Sequence, residues 1–124
     1  MVEGSMEIME RELQKKAIQY LRSLGAFVWK INDRFVAGLP DCLVVLWGKT
    51  FFIEFKRPGA RLTRLQEFVK DRIEGAGGFV FVIRSMEQLK DLVQGIKNWN
   101  LEVQKLKTEK QCLKKEGADG KRGL

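Results

Sequence analysis

Histidine is absent from this 124-residue chain, and cysteine occurs only at Cys42 and Cys112. Without an imidazole there is no histidine general base, no histidine-metal nuclease centre and no Ser-His-Asp hydrolase. The two cysteines lie far apart in the sequence and belong to no metal-spaced cluster, which argues against the common zinc sites. A metal centre would have to use oxygen ligands, a donor set that suits Mg²⁺ or Mn²⁺. Long apolar runs are missing, as is any signal-like leader pattern, so neither a membrane span nor secretion is expected. No internal repeat is evident.

What is present is an excess of positive charge. Lys and Arg number 23 against 16 Asp and Glu, a formal net charge of +7. Such a surplus points to a polyanionic partner, nucleic acid first, although part of it lies in the basic C-terminal tail and serves solubility equally well. The length suits one domain with a real core.

The chain is organised around residues 38–56. Cys42 to Trp47 is a short apolar run, Gly48-Lys49 reads as a two-residue hairpin turn, and Thr50 to Phe55 is β-rich. That register sets Trp47 opposite Thr50, Leu43 opposite Glu54 and Asp41 opposite Lys56. Opposed residues share a face and side chains alternate along a strand. Asp41, Glu54 and Lys56 therefore share one face, and Phe55 points the other way into a core. A fraying strand end with an exposed ion cluster is the plain alternative. Three details weigh against it: Glu54 interrupts large apolar residues, Pro40 fixes the entry to Asp41, and Gly38 permits close backbone approach or positive φ.

Around this hairpin the pattern predicts further elements. Residues 1–5 read as unstructured. Glu7 to Leu24 reads as an amphipathic helix capped by Gly25, with Met9, Leu13, Ala17, Tyr20, Leu21 and Leu24 at helical spacing. Glu10 falls on that apolar face, where it either favours the helix dipole or points at a metal; Glu12 is the alternative if the helix phase differs. Ala26 to Ile31 is a strand with Lys30 on its solvent side. Asp33 and Arg34 come next in a loop, Arg34 being a candidate phosphate contact and Asp33 a weaker competitor of Asp41. The Arg57-Pro58-Gly59-Ala60-Arg61 loop is basic and adjoins the carboxylates. Thr63 opens a helix whose stripe is Leu65, Phe68, Val69 and Ile73, with Thr63 and Gln66 spaced as a capping box. Phe79 to Ile83 is an apolar strand. Ser85 and Gln88 form a second capping-box pattern before a helix. From Leu89 through Leu92, Ile96, Trp99, Val103, Leu106, Lys110 and Leu113 the spacing is heptad-like, a candidate self-association surface. Gly95, Asn98 and Asn100 weaken that helix, and a core helix ending at Gly95 is the alternative. Residues 114–124 read as disordered.

Gly38-x-Pro40-Asp41, twelve residues, Glu54-Phe55-Lys56 and then Gln66 resemble the PD-(D/E)XK nuclease superfamily, and within it the VRR-NUC (virus-type replication-repair nuclease) family. The resemblance runs from about Glu10 to about Met86. It implies an α/β, restriction-endonuclease-like core, a four-stranded mixed sheet flanked by helices, which the order of elements supports independently. Residues 1–98 would form the nuclease domain and 99–124 a basic extension, partly disordered or used in self-association. The resemblance also implies that Glu10, Asp41, Glu54 and the Phe55 main-chain carbonyl hold Mg²⁺ or Mn²⁺. Asp41, Glu54, Lys56 and Gln66 would be catalytic, with Arg34, Arg57, Arg61 and Arg64 contacting DNA. The expected activity is structure-selective DNA endonuclease at four-way (Holliday) junctions in recombination or repair, by a homodimer without a small-molecule cofactor. The expected setting is the cytoplasm of a bacterial or phage-infected cell. A flap or restriction-like nuclease, or a non-catalytic DNA-binding module with this fold, are the alternatives.

Overall fold

A computed structural model describes residues 2–31 and 36–120, with side chains described over 8–31 and 36–109. In chain order the elements are α1 (Val2–Ser23), β1 (Phe27–Lys30), β2 (Cys42–Leu46), β3 (Lys49–Phe55), α2 (Arg64–Gly75), β4 (Val80–Ile83) and α3 (Met86–Gly120). The strands lie in the order β1-β2-β3-β4. Pairing is antiparallel from β1 through β3 and parallel between β3 and β4. A parallel pair needs a crossover connection, which α2 supplies. The result is a four-stranded mixed sheet flanked by helices, as the order of elements predicts.

Alternation along the strands makes one face the core. Cys42, Val44 and Leu46 of β2 and Phe51, Ile53 and Phe55 of β3 are all buried there,. Ala17, Ile18 and Leu21 of α1 and Leu89, Val93 and Ile96 of α3 close over them. Each fully buried Leu, Ile or Phe among these contributes about 1.5–3 kcal/mol of transfer free energy. Helix α1 stops at Gly25, whose φ is +90°. There the Ala26 N–H reaches back to the Leu21 carbonyl at 3.1 Å, a glycine-dependent helix end,.

The hairpin turns one residue earlier than its sequence suggests. Leu46 pairs with Lys49, so Trp47 and Gly48 are the turn residues, not Gly48 and Lys49. Both have positive φ, +49° and +82°, the combination whose twist matches the flanking strands,. A tryptophan seldom adopts that conformation, which is why the Gly-first reading is the natural one from sequence. The register moves by two residues, an even number, so every side chain keeps its face. Leu43 lies across from Phe52, and one step past the last pair, Cys42–Ile53, the ladder sets Asp41 in line with Glu54 instead of Lys56.

Four further expectations are corrected. Helix α1 already begins at Val2, and Gly4-Ser5 does not interrupt it. Lys30 alternates in phase with the buried Val28, so it leaves β1 on the α1 side of the sheet and reaches water at the edge. Helix α2 has no buried residue; Leu65 is 53% and Phe68 is 61% exposed, because this helix covers only the β4 margin of the second sheet face. Helix α3 does not end at Gly95 but runs unbroken to Gly120, so residues 114–120 are helical rather than disordered. The isolated costs of Gly95, Asn98 and Asn100 are each at most about 1 kcal/mol and do not break it. Its last core contact is Ile96. At Trp99 it touches the ammonium of Lys49, 4.8 Å from the ring centroid, and beyond that it leaves the domain. Cys112 lies outside the described side chains.

Candidate active site

The ladder between β2 and β3 ends at Cys42–Ile53, and the site is built just past that last pair. The next N–H of β3 that faces β2 belongs to Phe55. It donates to Asp41 Oδ2 at 2.7 Å, so the carboxylate takes the place of a strand partner. Alternation then fixes the rest: Phe55 sends its ring into the core, while Glu54 and Lys56 leave on the opposite face beside Asp41,. The Phe55 carbonyl points to the same edge of the strand as its N–H, toward Asp41.

Glu54 is buried, only 5% exposed, next to a second acid. Burial raises its pKa, and so do the charge and hydrogen bond of Asp41; Lys56 pulls the other way, Glu10 adds a small upward push, and the result is about 8. The pair therefore keeps a proton at neutrality when no cation is near. Gln66 steadies it from α2. Its Oε1 accepts the Thr63 N–H at 2.9 Å, completing the capping box with the Gln66 N–H to Thr63 Oγ1 bond, and its Nε2 donates to Glu54 Oε1 at 3.3 Å. Cap and site roles, alternatives in the sequence, coexist in one side chain. Gly38 lets α2 come this close: its φ is +87°, and a Cβ there would lie 2.7 Å from the Leu65 carbonyl atoms,.

Glu10 reaches the same cleft from α1, whereas Glu12 is exposed and does not line it. Glu10 is held by the loop after β3: Oε1 accepts the Arg57 N–H at 3.2 Å and lies 3.8 Å from the Arg57 guanidinium. Among the described residues, no three of His, Cys, Asp and Glu stand together as a metal cluster. The donor set that does converge is Asp41, Glu54 and the Phe55 carbonyl. It fits a hard divalent cation, because a proton now does the neutralising such a cation would do.

The open cleft, about 330 Å³, is lined by Glu10, Asp41, Glu54, Lys56 and Gln66, together with Phe55, Arg11 and Gln14. Arg11 and Gln14 are not among the residues the sequence singles out. Helical spacing was the available signal, since Gln14 is four residues after Glu10 and shares its face. Arg84 is also unforeseen; Nη1 donates to the carbonyls of Arg57 at 3.0 Å and Ala60 at 2.5 Å and ties down the loop that follows β3. Arg61 and Arg64 are exposed and do not line the cleft. Arg34 and Asp33 lie outside the described residues. No helix among the described residues is long and apolar enough to cross a membrane.

Comparison with known proteins bears on the fold and the family. No protein-family model matches the sequence. A curated protein of Acyrthosiphon pisum secondary endosymbiont phage 1, described as "Putative nuclease p44", is 32% identical over 81 residues, 64% of this chain and 87% of that protein. A solved structure described as a VRR_NUC domain superposes with a TM-score of 0.64 at 31% identity, covering 69% of this chain and 95% of its own. With that level of identity across nearly the whole of both relatives, this chain belongs to the VRR-NUC family of nucleases.

Proposed function

We propose that the chain is a metal-dependent DNA endonuclease, with Asp41, Glu54, Lys56 and Gln66 as its working residues. The observation that carries this reading is the half-buried Asp41 set beside the buried Glu54, whose pKa is raised to about 8, the two opening onto a cleft with Lys56,. Asp41, Glu54 and the Phe55 carbonyl would hold Mg²⁺ or Mn²⁺, which would supply a more acidic bound water and polarisation of a phosphodiester. Lys56 would orient the attacking water and, through its ammonium, offset charge developing on phosphorus. Gln66 holds Glu54 in place. Glu10 is the third acid; its Oε1 accepts the Arg57 N–H, which leaves Oε2 as the oxygen that would face a cation,. Arg57, Arg61 and Arg34 of the adjoining loops and Arg64 at the start of α2 are the proposed DNA contacts.

The preferred substrate is branched DNA, four-way junctions first, cut by a homodimer. Helix α3 supports the pairing. Beyond Ile96 it carries Trp99, Val103 and Leu106 at heptad spacing without a core to cover them. Glu102 and Lys107 flank that stripe as g and e positions five residues apart, and the sequence repeats the arrangement at Glu109 and Lys114. Two parallel copies would match Glu to Lys across the seam, whereas antiparallel copies would oppose like charges. The test is cleavage of end-labelled four-way junction, flap, duplex and single-stranded DNA in Mg²⁺ and Mn²⁺, with EDTA as control. Paired, metal-dependent nicks at the junction are expected. Flap cutting with an intact junction would retain the nuclease and remove the junction preference. Tight binding without cutting of any substrate would make the chain a binding module.

A further inference from the structure

A second groove adjoins the cleft. It measures about 390 Å³ and runs between α1 and the end of β1. Four cations line it, Arg11, Lys15 and Arg22 from α1 and Lys30 from β1, over a floor that includes Gln14 and the buried Ile18. No carboxylate is among its lining residues, and none of the four cations is in a salt bridge among the described residues. Arg11 and Gln14 belong to both the groove and the cleft, so the two are continuous.

A charge run on a helix is ordinarily a solvated face, but two features separate this one from that reading. Its cations come from two elements and converge on one concavity. Lys30 also occupies an inward-facing strand position, in phase with Val28 and paired with Cys42, where an apolar residue would be ordinary. One of the four is already aimed: Arg22 Nη2 donates to the Val28 carbonyl at 3.2 Å, which orients the guanidinium. Along α1 the step from Arg11 to Lys15 is about 6 Å and that from Lys15 to Arg22 about 10 Å, so the three cations are strung out along the groove as an extended polyanion would require. Gathering like charges without counter-charge opposes folding, and a bound strand of phosphates reverses that repulsion.

We infer that this groove is a backbone track, in which Lys15, Arg22 and Lys30 hold the sugar-phosphates of a DNA strand on one side of the bond presented to the cleft. Arg11 is the hand-over point between track and cleft. The inference rests on the nuclease reading for its direction, but its binding prediction does not depend on cutting. Phosphate contacts fix position without reading bases, so the track contributes affinity and register and no sequence preference.

The test measures DNA binding in EDTA across a salt series, with wild type, Lys15→Gln, Arg22→Gln, Lys30→Gln, their triple combination, and Lys16→Gln as an off-groove control on the same helix. Each removed phosphate contact should make the log–log salt dependence shallower by about 0.7 to 0.9, and should weaken binding about tenfold at about 0.1 M salt. The triple variant should lose about 2 to 3 in slope, and Lys30→Arg should retain it. Thermal melts of all variants should coincide within a few degrees. Hydrolysis of bis(p-nitrophenyl) phosphate, which has no strand to fill the track, should be equal in wild type and triple variant. A triple variant with the wild-type salt slope, or losses matched by Lys16→Gln, would overturn the track. Groove-dependent binding by a protein that cuts no DNA would keep the track and remove the nuclease reading, so the two failures are distinguishable.

Discussion

One face of the sheet presents Val44, Phe51, Ile53 and Phe55 to α1 and α3 and is sealed; the other leaves Phe27, Trp29 and Val45 in solvent and is only partly covered, by α2. Both faces are apolar in sequence. What separates them is the supply of helix: two pack on the first face and one on the margin of the second. The buried acid belongs to the second. Glu54 is sheltered locally, under Gln66, and remains next to an open cleft. A wholly sealed face would hide the carboxylates from substrate. A wholly open one would leave them solvated, with no burial to raise the pKa of Glu54,.

The sharpest break of this comparison is chemical. Lys56→Ala should lower kcat for DNA cleavage by about 10²–10⁴-fold, with thermal stability almost unchanged, because Lys56 leaves from the open face. Retained cleavage would remove Lys56 from the mechanism. On the sealed face the effect should be on folding: Phe51→Ala should cost about 3–5 kcal/mol in chemical denaturation, whereas Trp29→Ser should stay within about 0.5 kcal/mol. Equal losses would mean that Trp29 is covered in solution.

Glu54 sharpens the comparison through pH. Its folded pKa of about 8 exceeds the ordinary 4.5, so the folded state holds the proton more tightly than the unfolded chain. The associated stability is complete below about pH 4.5 and is lost as pH rises through about 8, by at most about 1.4 kcal/mol per unit,. Asp41, Lys56 and Glu10 are the charges that face it. Metal-free protein should therefore melt lower at pH 8 than at pH 5.5. Added Mg²⁺ or Mn²⁺ should restore stability most at the alkaline end, where it no longer competes with the proton. A melting temperature of Glu54→Gln that falls as steeply as the wild type's over this range would rule out Glu54 as the source. A modest effect belongs to Gln66→Ala, about 0.3–1.5 kcal/mol for the lost half of the capping box, together with reduced cleavage.

The strands, the mixed sheet and the grouping of Asp41 with Glu54 were legible in the sequence because period-2 alternation survives an even shift of register. The turn sits one residue earlier than Gly48-Lys49 suggests, yet no side chain changed face. The exact partner of Asp41 was not legible, since it depends on Trp47 accepting a positive φ. Helix α2 illustrates a second limit: Leu65 and Phe68 define an apolar stripe, but a stripe says which side of a helix is apolar and not whether anything lies against it. The groove lined by Lys15, Arg22 and Lys30 was illegible for a third reason, since its members are distant in sequence and meet only when β1 folds against α1.

The amide of Gln66 closes two circuits at once, accepting from the backbone of Thr63 and donating to Glu54. Glutamate has the reach but no donor, lysine has donors but no acceptor, and asparagine is one carbon short. Two unrelated demands, one from the helix start and one from the carboxylate, thus fall on a single letter of the sequence. The position carries more information than either demand alone would require, and drift there would be visible as a fault in folding and in chemistry together.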